Sequence, residues 1–256
     1  MIGIISSSNQ YLPFDLETTS EYPTWKALEK ANPRKALLWK LKHDKAIQKG
    51  DKMFSEFESH ENSYESLAPL SPEFGRIVCA SFGHLRGSDD TENATPIVNV
   101  RHYHDTEASS TSEKDLLLKV CEFVNSATSR VKLTIAGHNI INFDIPFFIK
   151  RCLANKIQVP RVFITFNKKP WELDFLDTGR VWQFGSFDGY ASLDLVTEVL
   201  GIESPKTTMG GQYVGKEFWE KQNYDGISYY CDQDVIAVAK VLVELSFNTN
   251  KELTIK

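Results

Sequence analysis

The segment Tyr11-Leu12-Pro13-Phe14-Asp15-Leu16-Glu17-Thr18 restricts the folding of this chain more than any other. It alternates like a strand, with Phe14 and Leu16 on one face and Asp15 and Glu17 on the other. Such a strand needs a sheet with one face on an apolar core. The opposite face must then accommodate two neighbouring carboxylates, which repel and are costly to desolvate unless a cation lies between them. Oxygen donors of this kind suit a hard divalent ion such as magnesium or manganese. A solvent-exposed acidic edge strand fits the same residues, so the pair alone decides nothing.

The remaining pattern supplies the sheet. Residues 76–82 and 96–103 read as two further strands around a polar turn at 87–93. Leu116, Leu117, Val120, Cys121 and Val124 recur at helical spacing behind a Ser112 cap, with Glu113 and Asp115 in the first turn. Residues 131–136 are an apolar run of strand length. Ile145, Phe148, Ile149, Cys152 and Leu153 form a second helical stripe, and residues 191–200 a third helix, ended by Gly201. Ile227, Cys231, Val235, Val238, Leu242 and Leu245 give a continuous apolar face to a last helix. Residues 161–187 are rich in aromatics and show no clear period. Strands first, then strands alternating with helices, predict an α/β fold with a mixed sheet covered by helices.

Residues 19–74 interrupt that rhythm, being far longer than a hairpin connection. Their first part, 26–52, carries nine Lys or Arg against three acidic residues; the second, 53–74, has five Glu and no Lys or Arg. With Trp25, Leu37, Leu38, Trp39 and Leu41 interleaved, the basic part reads as a helical insertion. It is either a phosphate-contacting arm whose aromatic rings serve bases, or a helical cap with a solvated charged face. The whole of 1–256 is expected to be one domain carrying this insertion. A net charge of −5 argues against binding nucleic acid by bulk electrostatics, but not against gripping a few phosphates locally. No apolar run is long enough to cross a membrane and no leader opens the chain, so a cytoplasmic protein is expected. Cys79, Cys121, Cys152 and Cys231 lie far apart within apolar segments and read as buried free thiols.

Two more acidic positions join the first pair. In Gly137-His138-Asn139-Ile140-Ile141-Asn142-Phe143-Asp144-Ile145-Pro146, Pro146 belongs in a first helical turn, which places Asp144 at a helix N-terminus. In Tyr229-Tyr230-Cys231-Asp232-Gln233-Asp234, Tyr230 and Asp234 are four apart and share a helix face, whereas Asp232 points elsewhere, toward solvent. These pieces, in this order, resemble the DEDD superfamily of 3′–5′ exonucleases, which have an RNase H-like fold. Asp15 and Glu17 match the first motif and Asp144 the second. Tyr230 with Asp234 matches the Y-x-x-x-D motif of the tyrosine subclass; the histidine subclass would need His where Tyr229 stands. Residues 70–79, the G-H-N-x-x-x-F-D-I-P-F run, Leu176-Asp177-Thr178 and Ser204-Pro205-Lys206 are similar to predicted exonucleases related to the proofreading domain of family B DNA polymerases, which also carry an insertion after the first strand. Thr207 and Thr208 depart from the more acidic residues expected in the following loop.

The resemblance implies an RNase H-like mixed central sheet flanked by helices. It also implies two-metal hydrolysis of the phosphodiester at the 3′ end of single-stranded DNA, with Mg2+ or Mn2+, two ions per site. Asp15 is then the bridge between the ions. Glu17 and Asp234 complete the site nearest the attacking water, Asp144 supports the other ion through water, and Tyr230 orients the attacking water. RNA 3′ ends are the alternative substrate, a DNA polymerase or repair factor is the implied partner, and a non-catalytic nucleic-acid-binding or polymerase-accessory module is the rival from another class. Four competing signals read differently. Gly210-Gly211-Gln212-Tyr213-Val214-Gly215-Lys216 mimics a P-loop, but Glu217 replaces the required hydroxyl, so a flexible substrate loop is expected. His102 and His104 share a strand face with no third ligand near in sequence, and read as surface histidines. Asp177 reads as either a fifth site residue or a structural turn or cap, and Asn139 as a backbone-satisfying loop residue rather than a substrate contact.

Overall fold

The computed structural model describes residues 10–86, 96–105, 112–169, 172–186, 190–203, 209–246 and 253–255. Their strands are β1 (Tyr11–Ser20), β2 (Gly75–Arg86), β3 (Ile97–His104), β4 (Thr134–Gly137), β5 (Phe175–Asp177) and β6 (Thr254–Ile255). Their helices are α1 (Trp25–Ala31), α2 (Pro33–Gln48), α3 (Lys52–Ser55), α4 (His60–Leu67), α5 (Ser112–Arg130), α6 (Asp144–Ala154), α7 (Thr178–Gln183), α8 (Leu193–Val199), α9 (Val214–Trp219) and α10 (Tyr224–Leu245). The expected turn at 87–93 and the Ser204–Thr208 segment fall outside the described residues.

The strands make one mixed sheet in the order β5-β4-β1-β2-β3-β6. β1, β2 and β3 form an antiparallel meander, while β4 pairs parallel with β1, β5 with β4 and β6 with β3. This is the α/β, RNase H-like arrangement expected. On one face Leu12, Phe14, Leu16, Ile77, Ala80 and Phe82 pack under α5 and α6, with Phe14 stacked on Phe82 at 4.7 Å between ring centroids. On the other face α10 lies across Tyr11, Leu85, Val98 and Ala136. Gly83 permits the close approach of α10, since a Cβ there would come within 2.8 Å of Val235 Cγ1. The period-two alternation of β1 therefore has a physical outcome: burying Phe14 and Leu16 beneath α5 and α6 turns Asp15 and Glu17 toward α10.

The stretch between β1 and β2 is helical, α1 to α4, with a small core of its own. Trp39 is fully buried there, its indole N–H donating to the His60 carbonyl at 2.8 Å, and Trp25 packs half-buried on the same cluster. Aromatic surfaces free to stack on bases are therefore not what these two tryptophans offer, and that part of the expectation is corrected. α2 buries the stripe Ala36, Trp39 and His43, which leaves Leu37, Leu38 and Leu41 exposed. Lys42 is also committed, donating to Ser71 Oγ at 2.8 Å and lying 5.5 Å from the Trp39 and Phe74 rings. Several short elements had no readable sequence period: β5 and α7 in the aromatic stretch, the six-residue α9, and the two-residue β6.

Candidate metal centre

β1 pairs with β4 only from Tyr11 to Pro13. Pro13 has no N–H to offer, and β4 ends at Gly137, so the edge of β1 beyond that point is left open. The backbone N–H of Leu16 on this edge donates to Asp144 Oδ1 at 3.1 Å. A carboxylate thus takes the place of a strand, and the departure of β4 brings the first residue of α6 beside Asp15 and Glu17. On the other side of β1, the register with β2 shifts between Glu17 and Thr18, leaving Val78 as an extra residue. Bulges of this type bend a strand and re-aim its side chains. Thr18 then fixes the new course by donating to the Pro69 carbonyl at 2.9 Å.

α10 closes the site from above the sheet. Tyr230 is buried and hydrogen-bonded to Asp234, four residues on along the same face. The Cys231 thiol donates to Asp15 Oδ2 at 3.4 Å, and ligand atoms of Asp15, Glu17 and Cys231 all lie within 4.8 Å of one another. All five residues expected from the sequence, Asp15, Glu17, Asp144, Tyr230 and Asp234, are therefore brought together. Cys231 is an addition. It reads as one more core residue in the apolar stripe of the last helix, and the only signal that could have singled it out is its i, i+3 spacing to Asp234.

The electrostatics are those of crowded acids. Burial raises the Asp15 carboxyl well above its ordinary range, and Asp234, Asp144 and Glu17 raise it further. Glu17 is raised by burial and then by Asp234. Asp144 is pushed up to about 8, chiefly by burial, against the lowering effect of hydrogen bonds from its own N–H and that of Leu16. Tyr230 is raised by burial and then by the charges of Asp234, Glu17 and Asp15. Four clustered carboxylates with oxygen donors fit a hard divalent ion, the compensation that buried like charges need. Cys231, whose thiol burial holds well above its usual range, adds a neutral neighbour rather than a thiolate.

The surroundings divide into supports and bystanders. Asp177 caps α7 and accepts from the backbone N–H groups of Asn139, Ile141, Gly179 and Arg180 as well as from the Tyr190 hydroxyl. Its capacity is spent on holding the 139–141 loop that leads into Asp144, so it is the structural residue anticipated. Asn139 adopts φ +62°, a left-handed turn conformation that Asn tolerates well. The P-loop-like segment is a turn leading into α9, whose Val214 and Phe218 are buried against Val78 and Ile227; Glu217 takes Lys221 Nζ at 2.6 Å and Asn223 Nδ2 at 2.8 Å. Asp232 is not simply solvated as expected. It accepts from Ser81 Oγ and lies 2.8 Å from His102 Nδ1.

Among solved structures, E. coli Exonuclease I in complex with a dT13 oligonucleotide is similar over 94% of this chain at 13% identity, with a TM-score of 0.43. The chain spans 42% of the length of that protein. No curated protein matches significantly. A family described as predicted 3′–5′ exonucleases related to the exonuclease domain of PolB matches residues 70–250, a span that contains Asp144, Tyr230 and Asp234. Asp15 and Glu17 precede the matched span, and it is the sheet that joins them to the other three. With most of its length matched, the chain belongs to the family of predicted 3′–5′ exonucleases related to the exonuclease domain of PolB.

Proposed function

We propose that the protein hydrolyses phosphodiester bonds one nucleotide at a time from the 3′ end of single-stranded DNA. The observation that carries this reading is the meeting of four carboxylates and one phenol, from β1, α6 and α10, at the open edge of β1. Asp15, Glu17, Asp144 and Asp234 would hold two divalent ions, Mg2+ or Mn2+, whose chemistry is to acidify the attacking water and to offset charge on the scissile phosphate. Binding nucleic acid alone needs no such cluster, which disfavours a purely accessory module.

Each residue then has a task set by its environment. Tyr230, its pKa raised by burial and three acid neighbours, keeps its proton at neutral pH. It is therefore an orienting group that positions the attacking water through its oxygen, not a general base. Its bond to Asp234 fixes the rotamers of both. Leu16 N–H and the N-terminal turn of α6 orient the Asp144 carboxylate, and the Cys231 thiol steadies that of Asp15. Burial of Glu17 and Asp144 limits the competition of bulk water for their oxygens. Free, buried thiols suit a reducing compartment, and we assign the protein to the cytoplasm on that ground.

The test is digestion of 5′-labelled single-stranded DNA and RNA of one sequence, in magnesium, manganese or chelator. A ladder shortening from the 3′ end, faster on DNA and absent in chelator, is expected. Faster shortening of RNA would replace DNA by RNA as the substrate, through contacts to the 2′-hydroxyl. Metal-independent cutting would remove the proposed chemistry altogether.

A further inference from the structure

Three further side chains with metal-binding atoms, His102, His104 and Asp232, lie on the same sheet face beyond the part of α10 that covers β2; unlike those of Asp15, Glu17 and Cys231, their atoms do not all lie within 4.8 Å of one another. The registers place His102 of β3 beside Ser81, itself beside Asp15, and His104 beside Cys79, itself beside Glu17. The two histidines are therefore about two strand spacings, roughly 10 Å, from the acidic cluster. Their rings, from positions two apart on one strand face, are 5.6 Å apart between centroids and inclined by 35°. The sequence shows only these two donors, but the fold supplies a third from a distant element. Asp232 of α10 brings Oδ2 to 2.8 Å from His102 Nδ1, with Asp232 19% and His102 40% exposed, so the pair is reachable from solvent.

We propose that His102, His104 and Asp232 form a binding site for a divalent transition cation of the zinc type, separate from the carboxylate centre. Two imidazoles and one carboxylate are a donor set that borderline cations favour and magnesium does not. The donors of a tetrahedral zinc site lie about 3.3 Å apart, given metal–ligand lengths of about 2.0 Å. The pair His102 Nδ1 and Asp232 Oδ2 is already near that separation, so the ion takes the place of the proton they share. To complete the set His104 would exchange its 2.6 Å bond to Ser228 Oγ for the ion by turning its ring, leaving the remaining position to water. The outer partners that ligands of this kind need are present: Ser81 donates to Asp232 Oδ1, the oxygen facing away from His102. An ion here ties β3 to α10, the helix that carries Tyr230 and Asp234. The site stands whether or not the chain is an exonuclease.

The experiment uses the full chain in excess Mg2+, and the histidine-specific readouts separate Zn2+ held by the imidazoles from Zn2+ held at the oxygen cluster. Histidine acylation by diethylpyrocarbonate, located by mass spectrometry, should slow at least tenfold at His102 and His104 when Zn2+ is added, with the other histidines unchanged. Calorimetric Zn2+ affinity should fall at least tenfold in His102→Ala and in His104→Ala. Labelling unaffected by Zn2+, or an affinity in the doubly substituted protein equal to that of the wild type, overturns the proposal. The labelling is done on unsubstituted protein, so a folding defect in a variant does not blunt it.

Discussion

Tyr230 shows how a single residue's role follows from its surroundings. Its hydroxyl is buried among acids, so ionising it would add a further negative charge where charge is already in excess. Removing that hydroxyl in Tyr230→Phe takes away one hydrogen bond to a charged group, an effect of about 1–3 kcal/mol, or a rate loss of roughly 10- to 100-fold. Calorimetry with Mn2+ should show metal binding retained. Loss of metal binding together with rate would make Tyr230 a structural support of the carboxylates, contrary to the role assigned. The sequence made this residue legible because Tyr230 and Asp234 share helical spacing. Cys231 between them was not, since a buried thiol reads the same in a core and beside a carboxylate.

At the scale of elements, the site depends on where β4 stops and how α6 begins. Four of the five groups that Asp177 accepts from are backbone N–H groups, two of them in the loop entering α6. Asp177→Ala leaves the Ile141, Gly179 and Arg180 donors unpaired around a buried position, while Asn139 N–H keeps the Tyr190 hydroxyl, at a cost of roughly 3 kcal/mol. Denaturant unfolding should report that loss, and activity should fall with it as Asp144 loses its frame. Asp177→Asn keeps one acceptor oxygen and should fall between. A variant of unchanged stability would show that the loop holds itself. Among the long elements, β1, α5, α6 and α10 were legible because each carries a period of two or 3.6, and β2 because it is a continuous apolar run. β5, α7 and β6 were not, being too short to show a period, and they take their form from neighbouring strands. The insertion was legible as helical but not in its facing: Ala36 and Trp39 of α2 join Leu28, Tyr64, Leu67 and Phe74 in the small core, whereas Leu37, Leu38 and Leu41 stay outside.

For the whole molecule, the acidic cluster is a strain that binding of the proposed ions would relieve. Asp144 has a folded pKa of about 8, above an unfolded value of about 3.9. A raised folded pKa contributes stability that is full below the unfolded value and lost as pH rises through the folded one. Asp15 and Glu17 shift in the same direction. In chelator, melting temperature should therefore fall between about pH 4 and about pH 8, and Mg2+ should restore it most at the upper end. Asp144→Asn should flatten both trends, because its side chain does not titrate. A metal-free protein equally stable across that range would mean the carboxylates are not crowded as described.

The central claim is that Asp15 and its neighbours cut at the 3′ terminus. It is tested most directly by following a single-stranded DNA labelled on its last nucleotide, with Mg2+, for the wild type and Asp15→Asn. The account predicts that label leaves from the earliest times as a mononucleotide, and that Asp15→Asn slows its release about 10³-fold, the several kcal/mol expected of a lost metal-binding group. Label that stays in longer fragments, or a variant as fast as the wild type, would contradict it.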